Sequence, residues 1–311
     1  MSSHKGGQRL TVKDEEGGQA EVFCYQDLIL PGSFTDWFDP EEKLESIRQF
    51  KYREGDILQC SYPKSGNHWL TNLLTLMLSK GSLETATSVN VSLIDFTKPT
   101  ERLHKKPSPR IITSHLKFER LPEEHIRRGG KVILLVRNPK DVAVSYYYHG
   151  NKDRFLRFSL SWRGCLGYFC EGKVPFGSYF DYLNNWQKVL QQRKDLDIHV
   201  VYYETLKQQT LLELQRIQKY LGIYNDDDRL NAIIAKCSFS SLKSDVDSGK
   251  LRTLLVDKTS QPFIYRKGEI GDWMNHFTVT QNEAFESVIK NKLQGSIFQF
   301  QYIPNVPKHQ L

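Results

Sequence analysis

No apolar run in these 311 residues approaches the ~20 residues needed to cross a bilayer. The stretch from Met1 to Gln19 is polar and glycine-rich and lacks the apolar centre of a secretory signal. Cysteine is sparse: Cys24, Cys60, Cys165, Cys170 and Cys237 are odd in number and contain no CxxC pair. That pattern argues against a disulfide framework and against a zinc site, and it suits reduced thiols in the cytoplasm. His104, His115 and His125 stand at no metal-type spacing from any cysteine, so no metal is expected. Lysine and arginine form no long run, which argues against a nucleic-acid partner. The triphosphate-binding signature G-x-x-x-x-G-K-S/T is missing as well.

What is present is an ordinary globular composition, 39% hydrophobic and 25% charged, with a net charge of +7. The length suits one large α/β domain or two small ones. A scattered positive excess favours a small anionic ligand over a polyanion.

The most informative stretch is Tyr62-Pro63-Lys64-Ser65-Gly66-Asn67-His68-Trp69. Before it, Asp56 to Ser61 alternates as a strand does; after it, Leu70 to Leu78 is apolar at helical spacing. A strand-to-helix turn with glycine at its tightest point aims backbone N–H groups and the positive end of a helix dipole at whatever lies above it. Lys64 adds a full charge, and Ser65, Asn67 and His68 add side-chain donors. The expected guest is a phosphate; the alternative is a βα turn whose lysine faces solvent.

Further strands are expected at Arg110 to His115, at Lys131 to Val136 and at Ile198 to Tyr203. Helices are expected at Asp39 to Leu44, Leu121 to Ile126, Val142 to Tyr148, Ser178 to Arg193, Leu211 to Leu221, Asp226 to Cys237 and Thr280 to Lys292. Residues 82–108 and 244–265 read as loops, and residues 1 to about 20 as a disordered tail. Alternating strands and helices imply a central, mainly parallel sheet flanked by helices.

In such sheets ligands sit beyond the carboxyl ends of the strands. Four expected strand ends carry polar groups: Lys64 to His68, His115, Arg137 with Ser145 two turns into the next helix, and Tyr203. Arg137 offers a planar fork for a second phosphate, or a surface pair with Asp141. Ser145 faces the same site or bonds its own turn. Tyr265 to Trp273 forms a second basic, glycine-containing loop.

These pieces together resemble the cytosolic sulfotransferases, which move a sulfuryl group from 3′-phosphoadenosine 5′-phosphosulfate (PAPS) to a hydroxyl or amine. The matching segments are Tyr62-Pro63-Lys64-Ser65-Gly66-x-x-Trp69, Thr113-x-His115, Arg137 to Asp141 with Ala143 to Tyr147, Tyr203-Glu204, Cys237-Ser238-Phe239, and Arg266-Lys267-Gly268-x-x-Gly271-Asp272-Trp273. The resemblance implies one sulfotransferase domain over residues 21–305 with a P-loop-like turn, and adenosine 3′,5′-bisphosphate (PAP) as the spent cofactor. It places Lys64, Ser65, Gly66, Asn67 and His68 on the phosphosulfate, and Arg137, Ser145, Arg266, Lys267 and Gly268 on the 3′-phosphate. Trp69, Tyr203, Cys237, Ser238, Phe239 and Leu242 would frame the adenine. His115 would be the general base, with Lys64 and Ser145 beside it among the catalytic groups. The acceptor would be a phenol, alcohol, sterol or amine.

The sequence departs from the family pattern at several points. Thr113 stands where relatives carry a lysine, two residues before the catalytic histidine. His68 replaces a small hydroxyl residue, and Asn67 a threonine. The family's dimer motif K-x-x-x-T-V-x-x-x-E keeps Thr278, Val279 and Glu283 but has Met274 in the lysine position, so a dimer stays an open expectation. Two other readings remain: a homologue that binds PAPS without efficient transfer, on account of Thr113, and a P-loop nucleotide kinase.

Overall fold

The computed structural model describes residues 6–79, 81, 83, 92–97, 101–253 and 255–305. Among these the strands form two sheets. The first is antiparallel and holds β1 (Gly7–Lys13), β2 (Gln19–Tyr25) and β3 (Leu28–Pro31) in sequence order. The second is parallel throughout and contains β4 (Ile57–Ser61), β5 (Ile111–Ser114), β6 (Lys131–Val136) and β7 (Ile198–Tyr202) in the spatial order β5-β4-β6-β7.

The parallel sheet divides two cores. Leu58, Cys60, Val132, Leu134 and Val136 face one of them, together with Tyr179, Tyr182, Leu183 and Trp186 of the helix Tyr179–Gln192. Ile57, Ile133 and Leu135 face the other, where Leu70, Leu73, Leu74 and Met77 of the helix Asn67–Leu78 pack. Burial on both faces explains why β6 reads as an unbroken apolar run instead of an alternation. The expected fold class, a single α/β domain with helices flanking a parallel sheet, is the one observed.

The antiparallel sheet corrects the expectation of a disordered tail over residues 1 to about 20, of which 1–5 lie outside the described residues. β1 is mostly exposed, so its sequence carries no half-buried alternation to read. The legible signal was the turn behind it. Asp14 Oδ1 accepts from the backbone N–H groups of Glu16 (3.0 Å) and Gly18 (2.7 Å), and Gly17 takes the left-handed φ of 82° that closes the reversal. β2 and β3 supply the apolar inner face through Phe23, Tyr25, Leu28 and Leu30.

Among the described residues, two helices of nine residues or more escaped the sequence reading. Trp162–Glu171 is capped by Ser161 and closed by Gly172 at φ 75°. Phe239–Asp247 is capped by Ser238 and takes the first residues of the supposed 244–265 loop. Tyr203 is the first residue of the helix Tyr203–Gln208, not the last of a strand. Of the loop expected at 82–108, residues 82, 84–91 and 98–100 lie outside the described residues. Its described part includes the helix Glu101–His104 and a bridge from Leu93 to Thr113. Thr278 caps the helix Val279–Lys292 through a reciprocal capping box, with Met274 and Val279 exposed beside it.

Candidate active site

β4 and β6 are neighbours, but the chain leaves β4 for β5 on one flank and returns to β6 on the other. At such a switch point the loops diverge and leave a crevice at the carboxyl ends of the strands. The turn after β4 carries Lys64 to His68, and the turn after β6 carries Arg137.

The first turn is tight and strained. Lys64 has φ 71° and Gly66 φ 108°. A Cβ added at Gly66 would come within 2.6 Å of Tyr203 Cδ2, so only glycine lets the tyrosine ring lie on the turn. Gly66 opens the helix Asn67–Leu78 without a side-chain cap, which leaves the head of the helix to a ligand.

Arg137 reaches across to this turn. Its Nη1 donates to the Lys64 carbonyl (3.2 Å) and its Nη2 to the Glu269 carbonyl (2.9 Å), while its guanidinium lies over the Tyr203 ring at 4.1 Å. Nε is buried without a partner. Asp141 lies 3.9 Å away and is otherwise engaged: its oxygens accept from Gly271 N (2.8 Å) and Trp273 N (3.0 Å). Asp141 thereby pins the second basic loop against the first helical turn after β6. Within that loop Asp272 accepts from Arg266 Nη2 (2.6 Å) and Lys267 Nζ (2.5 Å), and Arg266 lies over Tyr148 at 4.5 Å.

One cavity of about 880 Å³ joins these parts. It brings together Lys64, Gly66, Asn67, His68, Trp69, His115, Arg137, Ser145, Tyr203, Cys237, Ser238, Phe239, Leu242, Arg266, Lys267 and Gly268. Ser65 is the one expected residue that does not line it, being wholly buried. Trp69 donates from Nε1 to the Cys237 carbonyl (3.0 Å) and meets Tyr203 edge-on at 5.7 Å. These groups leave a flat apolar slot beside the cationic turns. Ser238 spends its hydroxyl on capping its own helix, accepting from Ser241 N (3.3 Å). Asn67 turns Oδ1 toward Gln59 Nε2, so only its amide NH₂ is left to face a ligand.

In the same cavity His115 is fixed in one tautomer. Its Nδ1 lies 2.7 Å from the Ser61 carbonyl, which can only accept, so Nδ1 carries the proton and Nε2 keeps its lone pair. Its backbone N–H donates to Asp95 Oδ2 (2.6 Å), and Phe176 stands edge-on to the ring at 5.3 Å. Burial, followed by the Lys64 charge, pushes the imidazole down to about 4, so it is neutral at pH 7. Burial pushes the Lys64 ammonium down to about 8, with repulsion from Arg137 and Arg266 opposing the attraction of Asp153.

A family model described as Sulfotransferase domain matches residues 54–297 of this chain. The chain belongs to the sulfotransferase family. It is 35% identical over 268 residues to sulfotransferase 1B1 of Mus musculus, a match that covers 82% of this chain and 88% of the relative. Over 264 residues it is also 35% identical to sulfotransferase 2A1 of Homo sapiens, with 81% and 89% covered. Among solved structures, mouse sulfotransferase SULT7A1 complexed with PAP superposes with a TM-score of 0.74 at 31% identity, covering 88% of this chain and 95% of that one. A retinol dehydratase complexed with androsterone and PAP shares the fold, with a TM-score of 0.71 at 16% identity, covering 94% and 98%.

Two residues that line this cavity, His149 and Asp153, and a third that holds His115 in place, Asp95, went unread in the sequence. Ser145, His149 and Asp153 are spaced by four, which puts them on one helical face; that spacing was the available signal. His149 is half-buried, with Nδ1 buried and unpartnered and Nε2 3.8 Å from Asp153 Oδ2. Asp95 is the third, a buried carboxylate raised to about 6 by desolvation, which holds Ser114 Oγ (2.7 Å) and the backbone of His115. Thr113 is buried in β5 and brings no charge to the cavity. Phe34, Trp37, Phe38, Phe96, Phe155 and Phe176 give the cavity an aromatic stretch of wall.

Proposed function

We propose that this sulfotransferase transfers the sulfuryl group of PAPS, in the cytoplasm, to a hydroxyl or amine of a small and largely apolar acceptor. The donor set suits that cofactor: an open helix head beside Lys64 for one anionic group, the unpartnered Arg137 Nε with Ser145, Arg266 and Lys267 for another, and an apolar slot between Trp69, Tyr203 and Phe239 for a purine. Bound PAPS supplies an activated sulfuryl group and an anionic leaving phosphate.

The chain's own residues then divide the work. Lys64 and the first helical N–H groups meet negative charge that grows on the leaving oxygen, and such pre-placed electrostatic groups are often the largest single contribution. His115 Nε2 takes the acceptor's proton, an effect worth roughly 10²–10⁴-fold in rate. The Ser61 carbonyl holds the ring in the tautomer this requires. The aromatic wall excludes water and receives the body of the acceptor.

The observation that carries this reading is that His115, with a free Nε2, opens into the same cavity as Lys64 and Arg137. A sulfate-transfer assay with labelled PAPS on mixed phenols, alcohols, sterols and amines tests it. Transfer that vanishes in His115→Ala while PAP still binds is the expected result. The burial of Thr113 in the sheet favours a second reading, a PAPS-binding protein with weak turnover. PAP binding without transfer to any of these acceptors would establish it. Binding of ATP with magnesium in preference to PAP would point instead to a kinase.

A further inference from the structure

Three imidazoles from three different elements face the cationic end of the cavity: His68 at the helix head, His115 beyond β5 and His149 on the helix that follows β6. Lys64 acts electrostatically on all three. His115 is committed, with Nδ1 on the Ser61 carbonyl and Nε2 needed as a base. His149 lies near Asp153, whose Oδ1 already accepts from the backbone N–H groups of Phe155 (2.7 Å) and Leu156 (3.2 Å). His68 alone sits in the first turn of the uncapped helix, where helix dipole and ligand anion meet. The position that would bring a further cation to this end of the cavity, Thr113, is a neutral residue buried in β5.

We propose that His68 is a proton reservoir: it is neutral in the free protein and becomes imidazolium when an anion occupies the helix head, so the arriving cofactor itself creates the second positive charge that Thr113 does not supply.

The charges around His68 account for both states. Burial, Lys64 and His115 hold it down to about 3 in the free protein. Arg137, Arg266 and Asp153 act on neighbouring Lys64 and line the same cavity, as does the Tyr265 hydroxyl of the covering loop. A dianionic group placed among these cations reverses the sign of the local field, and an opposite charge within about 4–6 Å favours the protonated imidazole. The proton goes to His68 because it is the nearest of the three to the helix head and has no other duty. Like-charge repulsion then keeps His115 neutral and able to act as base.

The proposal rests on the PAPS reading, and the experiment separates the two. The full chain, labelled with nitrogen-15 histidine, is recorded at pH 7.0 with and without saturating PAP, with His68→Thr and His149→Phe for assignment. Calorimetry on the same samples reads PAP affinity. The expected result is one histidine that changes from the neutral to the imidazolium pattern on adding PAP, a signal absent in His68→Thr and retained in His149→Phe. PAP binding with every histidine still neutral overturns the proposal alone. So does an imidazolium signal that survives in His68→Thr or disappears in His149→Phe. Failure of PAP to bind overturns the cofactor reading and the proposal with it.

Discussion

The two ends of the cavity are built by different means. At the cofactor end, turns that follow β4 and β6 and the head of the helix after β7 supply backbone N–H groups, fixed cations and one glycine that cannot change. The acceptor end is formed by side chains from the antiparallel sheet, from the segment after it and from the loops around residues 153 to 176. The first depends on backbone geometry and so tolerates little. The second depends on apolar area, which many side chains can provide. On the proposed function, chemistry is anchored in the sheet and selectivity is carried by the periphery.

The sharpest way to break this contrast is at their junction. His115→Ala should lower kcat on the order of 10²–10⁴-fold, with PAP affinity within about twofold of the parent by calorimetry, because the ring's hydrogen bond and ring contact go to Ser61 and Phe176. Unchanged turnover would remove His115 from the mechanism.

Gly66→Ala tests the rigidity of the cofactor end. The methyl group would meet the Tyr203 ring at 2.6 Å, and the backbone sits at φ 108°. Strain of this kind costs about 1–3 kcal/mol, so PAP should bind roughly 10- to 100-fold more weakly and the urea midpoint should fall. Parent-like affinity would mean that the turn is not the close contact described.

The pH dependence of stability sharpens the comparison further. His68, His115 and His149 are all held below their ordinary value, chiefly by burial. They are neutral when folded and take up protons on unfolding once the pH drops below about 6.5. Stability of the free protein should thus be fully present above that pH and be lost as the pH falls from 6.5 toward 4, by roughly 1 kcal/mol per pH unit for each histidine before solvent screening. Urea titrations between pH 7.5 and 5 read this as about three such slopes. His149→Phe should flatten the curve, and Phe155→Ala at the acceptor end should not.

The smallest effect belongs to the acceptor mouth. Trp37 and Phe155 are partly exposed and meet edge-on at 5.8 Å. Removing one partner of such a pair forfeits about 0.5–1.5 kcal/mol. Trp37→Ala should therefore raise the acceptor KM several-fold and leave the KM for PAPS unchanged. An equal rise in both would show that the two ends are not separable.

The same division governs what could be read from the sequence. Lys64 to Trp69, Arg137 and the Arg266 loop are legible because charge and glycine there punctuate strong strand and helix patterns. β6 was recoverable to the residue because both its faces are buried. β1 was not, since an exposed edge strand has no apolar face to betray it. His149 and Asp153 lie on a helix whose direction is set by tertiary packing, so spacing placed them with Ser145 while nothing local showed that this face meets Lys64. Asp95 belongs to a segment docked on β5 through the Leu93–Thr113 bridge and its own bonds to Ser114 and His115, an arrangement no periodicity encodes.

The backbone of Phe176 donates to the Ile29 carbonyl at 2.5 Å, and its ring stands against His115. Ile29 of β3 is thus linked to the proposed base, His115, through one amide. Lineages or engineers wishing to retune what this scaffold sulfates can edit its first thirty-odd residues and leave every phosphate-holding turn alone.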